Sequence, residues 1–534
     1  MAIEMNRRQA LLLGATSLAS LSLRTTANDK TAAMTVPDAW INAQDSRVQS
    51  LLSRQVLDPA SKWLGGLPDH FGLHDPRPAA ALLYECAGAY YHPASKWHCS
   101  SEVLARMELA ARFLERAQTD DGNIDLITTN FNSPPDTGFV VHRVATAARL
   151  AQKHDDDTIF DLLRPFLEHA GDGMAQGGIH TPNHRWVVCA ALAQLHELYS
   201  HRQYVRRIDE WLAESIDIDE EGQYIERSTG IYNGHINHAF TVMAVKLERP
   251  ELFVPVRTNL DAMRYLMHPN GEVVTEISRR QDVAQPRDMG AYWFALRYMA
   301  LHDNNGQYAA MLADIEPDRV SLPTLMEYPE MLAPLPPPKP LPDAFERSYP
   351  LSEITRVRRG PLSMTLLGLH QENRLAAHFG TAVVQSVRLM ADPARQRIFV
   401  PNEMDRRANG LRFRQSVSRS GITLHFEMLA MPKETGIDMQ FRVFGEDKAP
   451  VAIEVGLRPG GELEGVAPAP RNNGYFLTGE YAHYRVNGNV LRIGPGVKEH
   501  EQMETLARGH DNNALHIYLT GHTPFEHTLS LEMT

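Results

Sequence analysis

The chain has 534 residues, of which 43% are hydrophobic and 22% are charged, and these values exclude a wholly disordered or fibrous protein. The formal charge of -12 argues against a general attraction to the nucleic-acid backbone. A local arginine and histidine cluster can still make a positive cleft for an acidic polymer. The three cysteines, Cys86, Cys99 and Cys189, are too few for a disulfide framework.

Residues 1–33 have the pattern of an export signal. Arg7 and Arg8 precede an apolar, small-residue run from Leu11 to Leu23. That run is shorter than the roughly 20 apolar residues that a membrane-spanning helix needs. The segment predicts a twin-arginine signal, and therefore a periplasmic or secreted protein without a stable membrane anchor.

Helical patterns dominate residues 34–333, because apolar residues recur there at spacings of three and four. The segments with this pattern are Glu102–Gln118, Thr137–Lys153, Thr158–His169, Asn183–Tyr199, Tyr204–Ile216, Glu251–Met267 and Met289–His302. Short connections join them and no coiled-coil heptad is present. We expect paired helical hairpins arranged as an α/α toroid, an incomplete helical barrel.

A proline-rich segment at residues 334–342 predicts an extended linker between two domains. In residues 343–534 the pattern changes to short strands separated by Gly and Asn turns. The strand-like segments are Leu362–Leu367, Arg397–Val400, Gly421–Met428, Val451–Val455, Tyr484–Val486 and Ala514–Leu519. Consecutive strands without helices between them predict an antiparallel β-sandwich. The expected fold class is multidomain α+β, with the sandwich following the toroid.

Polar segments interrupt the helical pattern at three places, each at the entrance of a helix. They are Thr129–Thr137, Gly178–Trp186 and Glu226–His235. The sequence has no phosphate loop, dinucleotide fingerprint, nucleophile elbow or His-Glu-x-x-His motif. In a ring of hairpins the helix entrances collect on one face, so we expect a cleft there.

Two of these segments carry a family resemblance. Asn183-His184-Arg185 opens one helix, and Asp219-Glu220-Glu221-Gly222 and Glu226-x-Ser228-x-x-x-Tyr232 follow. These elements resemble the α/α-toroid polysaccharide lyases of the heparinase II/III-like and alginate-lyase-like kind. The resemblance implies β-elimination on a uronic-acid-containing glycan, which leaves a 4,5-unsaturated uronate end. It also implies an acidic polysaccharide or oligosaccharide as partner, no nucleic acid, and no metal or organic cofactor.

The resemblance implies Asn183, His184 and Tyr232 as the catalytic group. Asn183 would donate a hydrogen bond to the uronate carboxylate, where negative charge accumulates in the transition state. His184 would accept or relay a proton, and Tyr232 would protonate the leaving oxygen and, in a syn geometry, also remove the C5 proton. The candidate substrate-binding residues are Asn130, Asn132, Arg185, Trp186, Glu226, His235, Arg279, Arg280 and His378.

Each candidate also has a purely structural interpretation. Asn183 suits a helix cap, and Tyr232 and Trp186 suit core packing. Asn130, Asn132 and Asp136 suit Asx turns and a cap.

Other functions fit parts of the same pattern. A toroidal glycoside hydrolase acting on uronides would draw paired acids from Asp125, Asp136 and Glu226. A noncatalytic glycan-binding protein would use the same architecture without releasing product. A zinc site is less favoured, because the histidines lack a nearby carboxylate motif. Those histidines are His180, His184, His235 and His238.

Overall fold

Helices fill the first part of the described chain, and strands form most of the rest. The computed structural model describes residues 36–313, 315, 319–391, 397–419, 421–469, 474–496 and 514–534. The predicted export signal, with Arg7 and Arg8, lies outside these residues. The helices are α1 (Asp38–Arg54), α2 (Pro76–Tyr91), α3 (Ser101–Ala117), α4 (Pro134–Lys153), α5 (Asp157–Gln176), α6 (Pro182–Tyr199), α7 (Arg202–Ala213), α8 (Tyr232–Lys246), α9 (Phe253–Met263), α10 (Trp293–His302), α11 (Gly306–Met311) and α12 (Leu322–Glu327). Within this part of the chain, none is long and apolar enough to cross a membrane.

Helices α2, α4, α6 and α8 pack side by side in chain order, while α3, α5 and α7 return the chain between them. The Phe139 ring in the second turn of α4 lies 6.2 Å from the His184 ring and 6.0 Å from the His235 ring. One turn further along, His142 Nε2 lies 2.6 Å from His238 Nε2. A residue near the start of α4 thus contacts residues near the starts of α6 and α8, and a residue further along α4 contacts one further along α8. Helices α4, α6 and α8 therefore point the same way and begin on one face.

Three helix entrances carry the residue types expected to start a helix. Asp75 caps α2, and its side chain accepts from the Arg77 N–H. Ser133 caps α4, and its side chain accepts from the Asp136 N–H. A proline follows each of these caps, and Pro182 likewise begins α6. Proline lacks the N–H that would be unsatisfied in the first turn, so it is favoured there.

The helix predictions hold for most segments, but one segment is corrected and five helices were not predicted. Glu251–Met267 is not a single helix, because a 3₁₀ turn at Pro250–Leu252 precedes α9 and the helix ends at Met263. Helices α1, α2, α11 and α12 were not predicted, and neither was α8, although the candidate Tyr232 is its first residue.

The strands form one hairpin within the helical part and two larger sheets after it. They are β1 (Ile124–Leu126), β2 (Asn130–Ser133), β3 (Ala344–Tyr349), β4 (Ile354–Arg359), β5 (Leu362–Leu367), β6 (Leu375–Phe379), β7 (Ala382–Ala391), β8 (Arg397–Ile398), β9 (Glu403–Arg407), β10 (Gly410–Arg419), β11 (Ile422–Pro432), β12 (Gly436–Phe444), β13 (Pro450–Leu457), β14 (Glu462–Glu464), β15 (Val466–Pro468), β16 (Gly474–Leu477), β17 (Ala482–Val486), β18 (Asn489–Gly494), β19 (Leu515–His522) and β20 (Phe525–Met533).

The two larger sheets share one apolar core. In the described residues one sheet has the order β14-β17-β18-β20-β12-β11-β10-β9, and the other has β15-β16-β19-β13-β7-β6-β5-β4-β3 with β8 beside β7. Phe426 and Phe441 of the first sheet and Phe379 and Ile453 of the second are buried in that core. Pairing is antiparallel except between β16 and β19, which are parallel. The mixed helix and sheet content agrees with the predicted α+β class.

The proline-rich segment 334–342 has no regular secondary structure and lies against α11. The Lys339 N–H donates to the Gly306 carbonyl at 2.9 Å, and Gln307 Nε2 donates to the Pro340 carbonyl at 3.2 Å. A Cβ on Gly306 would lie 2.4 Å from the Pro337 carbonyl oxygen, so the close approach requires glycine. The predicted domain limits at this segment remain a prediction.

Polar contacts join the helical part to the strands that follow it. The Glu221 carboxylate accepts from the backbone N–H groups of Leu351 and Ser352 at 2.7 and 2.9 Å. The buried Arg356 guanidinium donates to the Tyr265 and Met267 carbonyls at 3.3 and 3.4 Å. The Arg356 bonds fix the segment that leads into the loop at 268–286, which supplies one wall of the site.

Candidate functional site

Asn183 lies in the first turn of α6 and is fully buried. Its Nδ2 donates to Glu226 Oε2 at 2.7 Å, while the contact of the same amide nitrogen with Thr181 Oγ1 is 3.4 Å long. One N–H of the amide is therefore well bonded, and the other is held weakly. Among the described residues, Asn183 Oδ1 has no hydrogen-bond partner.

Glu226 lies between Asn183 and an arginine. Only 5% of Glu226 is exposed, and its Oε1 lies 3.5 Å from Arg280 Nε. Burial raises the pKa of this carboxyl, and the Asn183 hydrogen bond and the Arg280 charge only partly oppose that effect. The Arg279 N–H donates to the Glu226 carbonyl at 3.0 Å, so the two segments are also joined through their backbones.

Tyr232 begins α8 and is half-buried beside the same arginine. Its phenolic oxygen accepts a hydrogen bond from Gln281 Nε2 at 2.6 Å. The Arg280 guanidinium carbon lies 5.3 Å from the centre of the Tyr232 ring. A cation and an N–H donor therefore both lie beside this phenol.

A buried carboxylate, Asp282, ties the Tyr232 segment to the loop at 268–286. It accepts hydrogen bonds from the Ser228 hydroxyl and the Gly230 N–H, both at 2.9 Å, and from the Ser278 hydroxyl. A Cβ on Gly230 would lie 2.6 Å from Arg287 Cγ, so glycine is required at this contact. Arg279 and Arg280 were named as candidates from the sequence, but Gln281 and Asp282, which follow them in the chain, were given no role.

The histidines form a row across the same face. The His184 ring lies 4.9 Å from the His180 ring and is perpendicular to it. Burial, with His180 nearby, lowers the pKa of His184 to about 4. In the described structure His184 Nδ1 has no hydrogen-bond partner, and the imidazole is uncharged at neutral pH.

His235 is exposed, and its pKa is lowered by the surrounding protein and by His142 and Arg143. The half-buried pair His142 and His238 completes the row. Across the described ranges no three or more His, Cys, Asp or Glu side chains are arranged to hold a metal ion.

Trp186 and Arg185 follow Asn183 in α6 and pack within the protein. The fully buried indole of Trp186 donates to Asp217 Oδ1 at 2.7 Å, and its ring lies 4.7 Å from Phe240. Arg185 stacks over the Trp186 ring at 4.3 Å and donates to Asp217 at 3.2 Å. These contacts fit the structural interpretation of both residues.

Asn130 and Asn132 hold the β1–β2 hairpin against its surroundings. Asn132 Nδ2 donates to Asp121 at 2.7 Å, and the Asn132 N–H donates to Asp125 at 2.7 Å. Asn130 Nδ2 lies 3.4 Å from Asp136 Oδ2. Asp125 and Asp136 are thus engaged in local hydrogen bonds, which fits turn and cap roles.

Arg279, another candidate, is exposed. His378 lies on β6, where the sheet meets the helical part. The His378 ring stacks on His268 at 3.8 Å, and its Nε2 lies 3.9 Å from Glu272 Oε2. Burial lowers the pKa of His378 to about 3. Arg458 holds the Glu272 carboxylate with two hydrogen bonds of 2.8 and 2.9 Å.

The site favours an anion, because several positive features meet there. Helices α4, α6 and α8 begin on this face, and helix N-termini carry a partial positive charge with free N–H groups. Arg280 adds a full charge between Glu226 and Tyr232. This arrangement can hold a carboxylate beside a phenol capable of proton transfer.

Solved structures of polysaccharide lyases resemble most of this chain in fold. The xanthan lyase of Paenibacillus matches with a TM-score of 0.58 and 10% identity, covering 93% of this chain and 57% of that enzyme. The chondroitin AC lyase of Streptomyces coelicolor A3, in complex with chondroitin sulphate, matches with a TM-score of 0.56 and 12% identity, covering 93% and 79%. The heparan sulfate lyase HepC of Pedobacter heparinus matches with a TM-score of 0.55 and 12% identity, covering 95% and 84%.

Sequence comparison adds nothing to these matches, because no protein-family model and no curated protein matches the chain. This chain spans little more than half of the xanthan lyase and about four fifths of the other two enzymes. At identities of 10% to 12% the likeness is one of fold. The protein has the heparinase-like fold of polysaccharide lyases.

Proposed function

We propose that the protein is a polysaccharide lyase that cleaves a uronic-acid-containing glycan by β-elimination and leaves a 4,5-unsaturated uronate end. One observation carries the proposal: Asn183, Glu226, Arg280, Gln281 and Tyr232 form one connected cluster at the starts of α6 and α8. The cluster combines a carboxylate-binding group with a proton-transfer group, as this reaction needs. The fold supports the same reading, since it is that of polysaccharide lyases.

The uronate carboxylate binds at the start of α6 in this proposal. Removal of the C5 proton moves negative charge onto the C6 carboxyl group, so donors aimed there stabilise the transition state more than the ground state. The weakly held N–H of Asn183 and the Arg280 guanidinium supply such donors. Glu226 holds both groups in place, because it accepts from Asn183 and lies in ionic contact with Arg280.

Tyr232 transfers protons in this proposal. Gln281 donates to the phenolic oxygen, which leaves the phenol's own proton for the 4-linked leaving oxygen. In a syn elimination the ionised phenol can take the C5 proton, and the Arg280 charge lies beside its ring. His184, uncharged at neutral pH, is the alternative base, but a pKa near 4 makes it a weak one.

The arrangement of the helices and sheets and the cellular location of the protein are part of the same proposal. We interpret the helical part as an α/α toroid and the two large sheets as a β-sandwich, with the substrate lying across the face where α4, α6 and α8 begin. The twin-arginine pattern at Arg7 and Arg8 supports a location in the periplasm or outside the cell, where polysaccharides are met.

The test is the product formed from a panel of acidic glycans. Chondroitin sulfate, heparan sulfate, xanthan and alginate are incubated with the protein, and new ends are followed by the ultraviolet absorbance of the conjugated C4=C5 bond and by mass spectrometry. We expect unsaturated uronate ends from at least one polymer. Saturated reducing ends alone would identify a hydrolase, and binding without any product would identify a noncatalytic protein.

A further inference from the structure

A hydrogen-bonded pair of histidines, His142 and His238, lies one helix turn further into the helical part than the candidate site. The two Nε2 atoms are 2.6 Å apart, and the rings are nearly perpendicular to each other. His142 belongs to α4 and His238 to α8, and both are half-buried. The pair therefore joins two helices that begin at the site, although it takes no part in the reaction proposed above.

The hydrogen bonds of His142 determine which ring nitrogens carry protons. His142 Nδ1 lies 2.7 Å from the side-chain oxygen of Gln194 on α6, and that oxygen can only accept. The Gln194 amide nitrogen lies instead 3.4 Å from the His142 carbonyl oxygen. His142 Nδ1 is therefore the donor, and Nε2 of the neutral ring is an acceptor. The contact of 2.6 Å is then made by the proton on His238 Nε2.

This arrangement holds one proton between the two Nε2 atoms and has no place for a second. After one proton is added, the charged ring can still donate to its neutral partner. After two are added, two N–H groups and two like charges face each other, and the contact must open. Burial lowers the pKa of both rings, and the neighbouring His142 and His235 lower the pKa of His238 further.

The charged and titratable groups that face the pair come from three helices. They are Arg143 on α4, His235 and Lys246 on α8, and Glu327 on α12. Glu327 is the acid among them, and its carboxylate lies 2.7 Å from Lys246 Nζ. On α10, the Phe294 ring packs against the His238 ring with their centres 4.3 Å apart. The charge of Glu327 is thus already engaged by Lys246 when the pair takes up protons.

The pair lies on the helix that carries Tyr232. His235 is three residues after Tyr232 in α8, and the two ring centres are 6.3 Å apart. His238 is three residues further along, and residues at this spacing are neighbours on a helix surface. If the contact with His142 opens, α8 can shift at His238, and Tyr232 moves relative to its donor Gln281. A displacement of this size is enough to slow a proton transfer.

We propose that the hydrogen bond between His142 and His238 positions Tyr232 for proton transfer, and that acid inactivates the site reversibly by charging both rings and opening this contact. The inference rests on the proposed function, since Tyr232 is its proton-transfer group. His142 and His238 act through α8, so both are positioning residues.

Two substitutions of His238 separate the hydrogen bond from its titration. His238→Gln keeps an N–H for His142 Nε2, cannot be charged, and can turn its oxygen to His142 when that ring is protonated. We expect kcat near that of the unmodified protein at neutral pH, with the acid limb of the pH–rate profile moved to lower pH. His238→Leu removes the donor, so kcat should fall by about tenfold at neutral pH with little change in KM.

Hydrogen exchange tests the contact without a substrate. Between neutral pH and about pH 4, exchange of the amides of residues 235–242, corrected for the intrinsic rate, should quicken in the unmodified protein and much less in His238→Gln. The control is His302→Gln, at an exposed position on α10, which should behave like the unmodified protein in both measurements.

The two measurements also separate this inference from the proposed function. If no polymer yields unsaturated ends, the lyase proposal fails, but acid-dependent exchange that His238→Gln suppresses still supports the acid-sensitive contact. An acid limb that His238→Gln leaves in place, exchange that the same variant leaves unchanged, or a normal kcat in His238→Leu overturns the inference.

Discussion

Gln281 Nε2 donates a 2.6 Å hydrogen bond to the phenolic oxygen of Tyr232, from a segment 49 residues further along the chain. Because the phenolic oxygen accepts this bond, the O–H of Tyr232 can donate to a different partner while the phenol is neutral. When the phenol is ionised, its oxygen still accepts the Gln281 hydrogen bond. Gln281 is thus a positioning residue for the proposed proton transfer.

The first prediction concerns the replacement of the Gln281 amide, a donor, by a carboxylate, which only accepts hydrogen bonds. Gln281→Glu places an anion beside the phenol, which disfavours the phenolate and should move the rising limb of the kcat/KM profile to higher pH. Gln281→Leu should lower kcat without that charge effect. The measurement is the pH–rate profile on the best substrate.

The control for this prediction is Gln285→Glu, which adds the same charge at an exposed position of the same segment. It should leave the profile near that of the unmodified protein. An identical profile for Gln281→Glu would show that the hydrogen bond does not govern proton transfer.

The second prediction concerns Tyr232 and His184. Tyr232→Phe removes only the hydroxyl, so we expect turnover to fall by about 10² or more while folding and glycan binding persist. His184→Ala decides between the two bases: near-complete loss indicates His184, and partial loss indicates Tyr232 as both base and acid. The measurement is the rate of formation of unsaturated ends.

Tyr199→Phe is the matched control for Tyr232→Phe. Tyr199 lies at the other end of α6, and its hydroxyl has no hydrogen-bond partner in the described ranges. Its removal should leave the rate unchanged. Near-normal turnover by Tyr232→Phe would remove the central residue of the mechanism.

Sequence periodicity was enough to find α4 and α6 but not α8. Helices with an apolar stripe show it in the sequence. In α8 the buried face includes Asn233, Asn237 and Thr241, which interrupt the stripe. The side-chain partners of Asn237 lie outside the helix: it accepts from the Tyr224 hydroxyl at 2.9 Å and donates to Asn259 at 2.8 Å. No local pattern reveals that such polar residues are satisfied in a core.

The candidate site shows the same limit. The helix-entrance argument brought Asn183, His184 and Tyr232 to one face, since α6 and α8 begin there. Gln281 and Asp282 come from an irregular segment whose path depends on tertiary contacts, so periodicity says nothing about their direction. The sequence also did not decide whether Trp186 binds substrate or packs in the core. The structure shows that its side chain is fully buried, which no local sequence pattern reveals.

The third prediction uses the raised pKa of Glu226. A carboxyl whose pKa in the folded protein exceeds the unfolded value, near 4.5, stabilises the fold below that value and loses the contribution as the pH rises through the folded pKa. Glu226→Gln cannot ionise, so its free energy of unfolding relative to the unmodified protein should rise across that interval and stay constant above it. Urea unfolding at a series of pH values measures the difference.

Activity of the same variant tests the role of Glu226 in the site. Glutamine can still accept from Asn183, yet it loses the ionic contact with Arg280. We expect Glu226→Gln to have a higher KM and a lower kcat, because Arg280 is then less well placed. Asn183→Ala should lower kcat further, because it removes the donor to the substrate carboxylate. A pH-independent stability difference for Glu226→Gln would show that Glu226 titrates normally.

The last prediction concerns Asp282, whose buried carboxylate gathers the Ser228 and Ser278 hydroxyls and the Gly230 N–H. Asp282→Ala leaves these donors buried without an acceptor, and each such group costs about 1–3 kcal/mol. We expect the free energy of unfolding to fall by at least about 3 kcal/mol, as measured by urea unfolding. The exposed Asp161→Ala should change it by no more than about 0.5 kcal/mol.

Asp282→Asn separates folding from alignment of the site. The side-chain oxygen of asparagine can replace part of the acceptor capacity, so the variant should fold with a smaller loss of stability. Because Asp282 joins the Tyr232 segment to the one that carries Arg280 and Gln281, a small shift between them should lower kcat more than it raises KM. Unchanged kcat in a folded Asp282→Asn protein would show that this carboxylate serves stability alone.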